Sequence, residues 1–167
     1  NPGPLIPVQR AIVRAAALTH LATGLTVASH TAHVQAAQES LDIVEQAGMD
    51  PARFIVVHAN AINELTEHDA LAARGAWLEY DGIGPESLDW HLTLVRHALE
   101  RGYERQVLLS QDAGWYRVGE PNGGAVRPYT DLVARFVPLL GAAGIAAEEV
   151  HQFLVENPRR ALERTGQ

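Results

Sequence analysis

The chain has 167 residues, 47% of them hydrophobic, which is one domain's worth of sequence and enough to bury a substantial core. Its 13 Lys+Arg stand against 20 Asp+Glu, a net charge of −7 with no basic stripe, which argues against a nucleic-acid partner. With no cysteine, disulfides and thiolate metal sites are excluded. With no apolar run near the ~20 residues that span a bilayer and no signal-peptide order at the start, a membrane is not expected and the cytoplasm is the default compartment.

The chain opens Asn1-Pro2-Gly3-Pro4 rather than on Met, as a processed or cropped protein would. From Pro7 a helical pattern runs through Val8, Ile12, Leu18 and Leu21 and closes at Gly24, the position where a left-handed residue is favoured. The short run Leu25 to His30 then reads as a strand buried on both faces, of the kind found in parallel sheets, and it stops on a histidine. The order repeats. A helix from Val34 to Ala47 ends at Gly48, and the strand from Phe54 leads to His58. A helix from about Ile62 to Arg74 ends at Gly75, and the strand Ala76 to Tyr80 leads to Asp81. A helix from about Pro85 to Arg101 ends at Gly102, and the strand Gln106 to Leu109 leads through Ser110 and Gln111 to Asp112.

The four glycines lie 24, 27 and 27 residues apart, a period suited to one βα unit each. Strands alternating with long helices predict a parallel sheet with right-handed crossovers. A glycine-punctuated loop from Ala113 to Gly124 follows, carrying Trp115, Tyr116 and Arg117, and its length suggests a part in substrate access. Helices are then expected from Pro128 to about Leu140 and from Ala147 to Val155, with Asn157 as an N-cap and Pro158 at N1.

Of the eight histidines, His20, His33, His68, His91, His97 and His151 fall in or beside helical patterns, where a surface or partly buried imidazole is the ordinary outcome. His30 and His58 instead terminate strands, and Asp112 follows a third. Strand carboxyl ends are where α/β folds build sites, so two histidines and an aspartate on one edge suggest a divalent metal bound through nitrogen and oxygen: zinc, manganese, iron or cobalt. A doubly wound ligand-binding module would need a glycine-rich phosphate loop after the first strand, and Ser29-His30-Thr31-Ala32-His33 is not one.

The segments "VASHTAHVQAAQESLDIVEQAGMDPARFIVVHAN", "GAWLEYDGIG", "GYERQVLLSQDAG" and the closing "GG…FVPLLGAAGI…ENPRRAL" resemble the C-terminal half of the phosphotriesterase family, within the amidohydrolase superfamily. The resemblance implies an α/β chain of (β/α)8 TIM-barrel type, of which residues 1–167 supply about four βα units (strands 5 to 8 of the barrel) as a single domain, with the N-terminal half absent. It implies a metal-dependent hydrolase with two divalent metals, usually zinc, in the complete site. It makes His30 and His58 ligands of the more exposed metal, and Asp112 a ligand of the more buried one and the catalytic proton acceptor. Tyr80, Asp81, Trp115, Tyr116 and Arg117 are then expected to face a small-molecule substrate. Three departures stand out. The chain has no His-x-His pair and no lysine; Asp81 is followed by Gly82 where the best-studied organophosphate hydrolases have histidine; and no acidic shuttle residue follows His58. The expected bond is therefore an ester or lactone as much as a phosphotriester. An open half-barrel would also present Val27, Ile55, Val57 and Leu78 and two unpaired sheet edges, so completion by a second copy in a homodimer, or by the missing half, is expected. The alternative is a non-catalytic half-barrel that serves as an assembly subunit.

Overall fold

The computed structural model describes residues 3–164, so Asn1 and Pro2 lie outside it. Four helix-linked strands form one parallel sheet in sequential order: β1 (Val27–His30), β2 (Phe54–Val57), β3 (Trp77–Tyr80) and β4 (Val107–Leu109). The helices α1 (Pro7–Thr23), α2 (Val34–Gln46), α3 (Leu65–Ala73) and α4 (Leu88–Arg101) precede or join them, with Gly24 and Gly102 in the left-handed region at the ends of α1 and α4, as the punctuation predicts. Each strand is shorter by a residue or two than the run that encodes it: β1, β3 and β4 begin later, and β2 ends at Val57, one residue before His58. Among the described residues no helix is long and apolar enough to cross a membrane.

The register divides the strands into two faces. Val27, Phe54, Val56, Leu78, Tyr80, Val107 and Leu109 pack against the helices in the main core. The opposite face carries Ala28, Ile55, Val57, Trp77 and Leu108, of which Ile55, Trp77, Val57 and Leu108 form a second cluster closed by Ala161. Two expectations change here. β1 is not buried on both faces, since Ala28 and His30 are exposed. Val27 and Leu78 point to the helices rather than to an open interior, and Ile55 is only 3% exposed because Trp77 and Ala161 cover it. What does stand open is the outer flank of α1, where Val8, Ile12, Leu18 and Leu21 are 50% to 62% exposed.

The first C-terminal helix begins at Asp131 rather than Pro128, and the second runs on through Asn157, where the sequence suggested a new start. A wide π-type turn, Leu132–Phe136, runs into α5 (Val137–Ala142), and α6 (Ala147–His151) passes through a second, Gln152–Glu156, into α7 (Asn157–Leu162). Each wide turn sits just before a proline, Pro138 or Pro158, which has no N–H to donate and whose ring would crowd an ordinary helical turn. Asn157 is consequently not an N-cap. It is buried inside the helical run, and its Nδ2 donates to the carbonyls of Glu104 (2.8 Å) and Val107 (2.7 Å), pinning α7 beneath β4. From α7 onward the chain crosses the amino ends of the strands: Thr26 Oγ1 donates to Ala161 O, Arg53 to Glu163 O, and Arg164 to Thr23 O, while the Arg160 guanidinium lies 5.6 Å over the Trp77 ring.

Of the histidines expected to be at the surface or partly buried, His68 and His91 are instead enclosed, at 0% and 1% exposure. His68 Nε2 lies 2.8 Å from Ile62 O, which can only accept, so Nε2 carries the proton and Nδ1 receives the Tyr80 hydroxyl at 3.0 Å. Burial therefore lowers the His68 pKa below its ordinary 6.5. A histidine held neutral contributes stability that is present above its unfolded-state pKa and is lost as pH falls below about 6.5, at up to about 1.4 kcal/mol per pH unit for one proton. Denaturant unfolding from pH 7.5 to 5 should show that slope, and His68→Gln should flatten it. Equal slopes in the two proteins would mean that another group controls the acid limit.

Candidate metal centre

The carboxyl ends of the strands bring His30, His58, Asp81 and Asp112 together. His30 is the last residue of β1, and its Nδ1 lies 2.9 Å from His58 Nε2, with the rings edge to face at 4.1 Å between centroids. His58 follows β2 directly in a left-handed conformation (φ 61°), and Asp112, three residues beyond β4, is left-handed as well (φ 40°). Only one other non-glycine described residue, Asn122, has φ in that region. Left-handed backbone costs an L-residue about 1–2 kcal/mol, so the fold holds two of the expected ligands in conformations that local energetics oppose.

Asp81 is what holds His58. It is 4% exposed, and its Oδ2 accepts from both His58 N (3.0 Å) and His58 Nδ1 (2.6 Å). The carboxylate thus fixes the backbone turn and the tautomer at once: Nδ1 carries the proton and Nε2 turns its lone pair toward His30 Nδ1, the tautomer that second-sphere carboxylates give metal-binding histidines. Asp81 is itself anchored, its N–H by Asn60 Oδ1 (3.0 Å) and its carbonyl by His91 Nε2 (2.6 Å). The expectation that Asp81 faces substrate is corrected accordingly, because its carboxylate points back at His58. Tyr80 is corrected too. It is fully buried on the helix side of β3, with its hydroxyl on His68 and its pKa driven well above 10 by burial.

One ligand atom each of His58, Asp81 and Asp112 lies within 4.8 Å of the others. A set of imidazole nitrogen and carboxylate oxygen fits a divalent cation of the zinc, manganese, iron or cobalt type. His30, hydrogen-bonded to His58, adds a second imidazole from the neighbouring strand.

Glu79, not singled out from the sequence, also belongs to this edge. It lies on the inner face of β3, accepts from Ser110 Oγ (3.0 Å), and has a carboxyl pKa raised above 4.5 by burial and by the nearby charges of Asp81 and Asp112, partly offset by Ser110 and His58. The available signal was a lone acid inside the apolar strand Trp77–Tyr80, since such a residue is rarely buried without purpose.

Directly after Asp112 the long loop folds back on itself, with Trp115 Nε1 donating to Asp112 O (3.0 Å) and Arg117 N to Gly123 O (2.9 Å). Trp115 and Tyr116 are 64% and 71% exposed, and Arg117 is exposed with Glu120 at 3.6 Å. The three therefore follow the ligand cluster in the chain, and among the described residues their one side-chain hydrogen bond to it is that of Trp115 to the Asp112 carbonyl. Behind the loop, the Tyr129 ring fills the space a Cβ on Gly114 would need.

Comparison with known proteins places this geometry. The chain is 31% identical over 159 residues to a phosphotriesterase homology protein of Escherichia coli, covering 93% of this chain and 54% of that protein. It is 24% identical over 176 residues to an N-acetyltaurine hydrolase of Danio rerio, covering 95% and 49% respectively. Among solved structures, the phosphotriesterase from Mycobacterium tuberculosis superposes with a TM-score of 0.85 at 27% identity, covering 98% of this chain and 53% of that one. The chain spans about half the length of the curated relatives it matches, and the sheet of four sequential parallel strands is that part of a TIM barrel. The model of the phosphotriesterase family matches residues 1–162, nearly all of the sequence that builds the sheet, its ligand-bearing edge and the helices around them, and the chain belongs to that family.

Proposed function

We propose that this chain is the C-terminal half of a metal-dependent hydrolase that cleaves an ester, lactone or phosphotriester bond in a small molecule. The observation that carries the reading is the convergence of His30, His58 and Asp112 on one strand edge, with the ligand atoms of His58, Asp81 and Asp112 within 4.8 Å. His30 and His58 would hold one divalent cation, zinc in the first instance, and Asp112 the second. Bound there, the cations supply an acidified water and polarise the oxygen of the bond under attack. The residues of this chain do the rest. Asp81 keeps the His58 lone pair aimed at the site, and Asp112, exposed at the mouth, accepts the proton released as the water oxygen attacks, then returns it to the departing alcohol. Trp115, Tyr116 and Arg117 would line the approach of the substrate.

Three ligands divided between two cations leave neither with the three protein ligands usual for a tight zinc site. Completion by the other half of the barrel, or by a second copy of the chain, supplies the rest. The exposed flank of Val8, Ile12, Leu18 and Leu21 and the unpaired outer edges of β1 and β4 favour such a partner. Metal analysis of the purified protein in its cytoplasmic, completed form tests the reading. About two equivalents of zinc per site, falling on His58→Ala, are expected together with esterase or lactonase activity. Absence of bound metal would support instead a non-catalytic half-barrel acting as an assembly subunit.

A further inference from the structure

The guanidinium of Arg127 is placed beside the ligand cluster and has no acidic partner. Its Nη2 donates to the backbone carbonyl of Asp112 (3.1 Å), which fixes the side chain against the residue that would carry the proton. Its Nε is buried and meets no acceptor, and among the described residues no carboxylate lies within 4.0 Å of it. The chain has excess acid, and its other site-side arginine, Arg117, does take a carboxylate, Glu120. Arg127 is therefore a held cation with free donors at the mouth of the site.

After β3 the chain runs Asp81-Gly82-Ile83-Gly84, and the Arg127 side chain lies on Gly84, where an added Cβ would already touch its Cδ, Nε and Cζ at 3.7–3.8 Å. Arg127, Gly82, Gly84, Pro85, Glu86 and Ser87 line a cavity of about 360 Å³, with the Glu86 side chain exposed. The guanidinium thus packs on Gly84 and borders that cavity.

We propose that Arg127 is a specificity-determining residue that binds an oxyanion (carboxylate, sulfonate or phosphate) carried by the substrate on the side away from the bond that is cleaved. A planar guanidinium with several free donors suits such a group, and its anchor on the Asp112 carbonyl sets the distance between the anion and the reacting centre. This proposal rests on the hydrolase reading above, and two measurements separate them. The first compares a lactone or aryl ester bearing a remote carboxylate or sulfonate with its uncharged isostere. In Arg127→Gln the ratio of kcat/KM for the charged over the neutral substrate should fall by about 10- to 100-fold, the range of a charge-assisted hydrogen bond, mostly through KM, with Arg127→Lys intermediate. A ratio within threefold of the parent overturns the proposal. The second follows the Arg127 side-chain Nε–H resonance during titration with methanesulfonate. A saturable shift is expected, and a flat titration overturns the oxyanion site. A saturable shift in a protein that hydrolyses no ester would instead overturn the hydrolase reading and leave the site standing.

Discussion

Asp112→Asn should retain bound metal and lose turnover. Asparagine keeps one carbonyl oxygen to coordinate but cannot take up a proton, so the loss falls on kcat, by about 10²- to 10⁴-fold, the usual share of a positioned general base. KM should change little. Metal analysis alongside steady-state kinetics decides the matter: a kcat within tenfold of the parent at full metal content would remove Asp112 from proton transfer. A companion substitution reads the backbone. Asp112 has φ 40°, its side chain is exposed, and its carbonyl accepts from Trp115 and Arg127. Asp112→Gly relieves left-handed strain of about 1–2 kcal/mol and adds about 0.5–1 kcal/mol of chain entropy to the unfolded state. The metal-free variant should thus be at least as stable as the parent while being inactive, and a loss beyond about 1 kcal/mol would show that the conformation is not strained.

The second large effect is expected at Asp81, which touches no substrate in this arrangement. Asp81→Ala removes the acceptor for both His58 N and His58 Nδ1, so the imidazole can rotate, adopt the other tautomer and withdraw its lone pair. Zinc affinity, measured by competition with a chromophoric chelator, should fall by about 10- to 100-fold. Asp81→Asn, which retains an acceptor oxygen, should fall between. Affinity within threefold of the parent in Asp81→Ala would mean that His58 is oriented by something else.

These two residues mark how far the sequence alone reaches. The convergence of His30, His58 and Asp112 was legible because the first two end apolar runs and the third follows one by three residues, and a strand's end is visible wherever the run stops. Asp81 was located correctly but given the wrong task. Its place after a strand is a matter of sequence, whereas the direction of its carboxylate depends on the left-handed turn at His58, 23 residues earlier, which no local pattern encodes. Tyr80 and Glu79 exchanged expectations for a similar reason. Neighbours on a strand face opposite ways, and which of the two faces the site follows from the pairing of Ile55 with Trp77 and of Leu78 with Val107, not from the string Trp-Leu-Glu-Tyr. His68, His91 and Asn157 sit in polar-looking helical stretches yet are buried, because each satisfies a carbonyl that tertiary packing delivers from elsewhere.

The bonds that tie Thr23, Thr26 and Arg53 to Ala161, Glu163 and Arg164 join the beginning of the described chain to its end, 135 residues apart for Thr26 and 141 for Thr23. On the ribosome this order has a cost. At about 5–20 residues per second, β1 and β2 emerge many seconds before the segment that closes the floor beneath them. During that interval Ile55 and Trp77 lack Ala161, and the floor of the sheet is open to water and to other nascent chains. The segment from Asn157 to Arg164 thus acts as a late latch: four βα units can assemble in succession, and the floor beneath them closes only once this segment has been made.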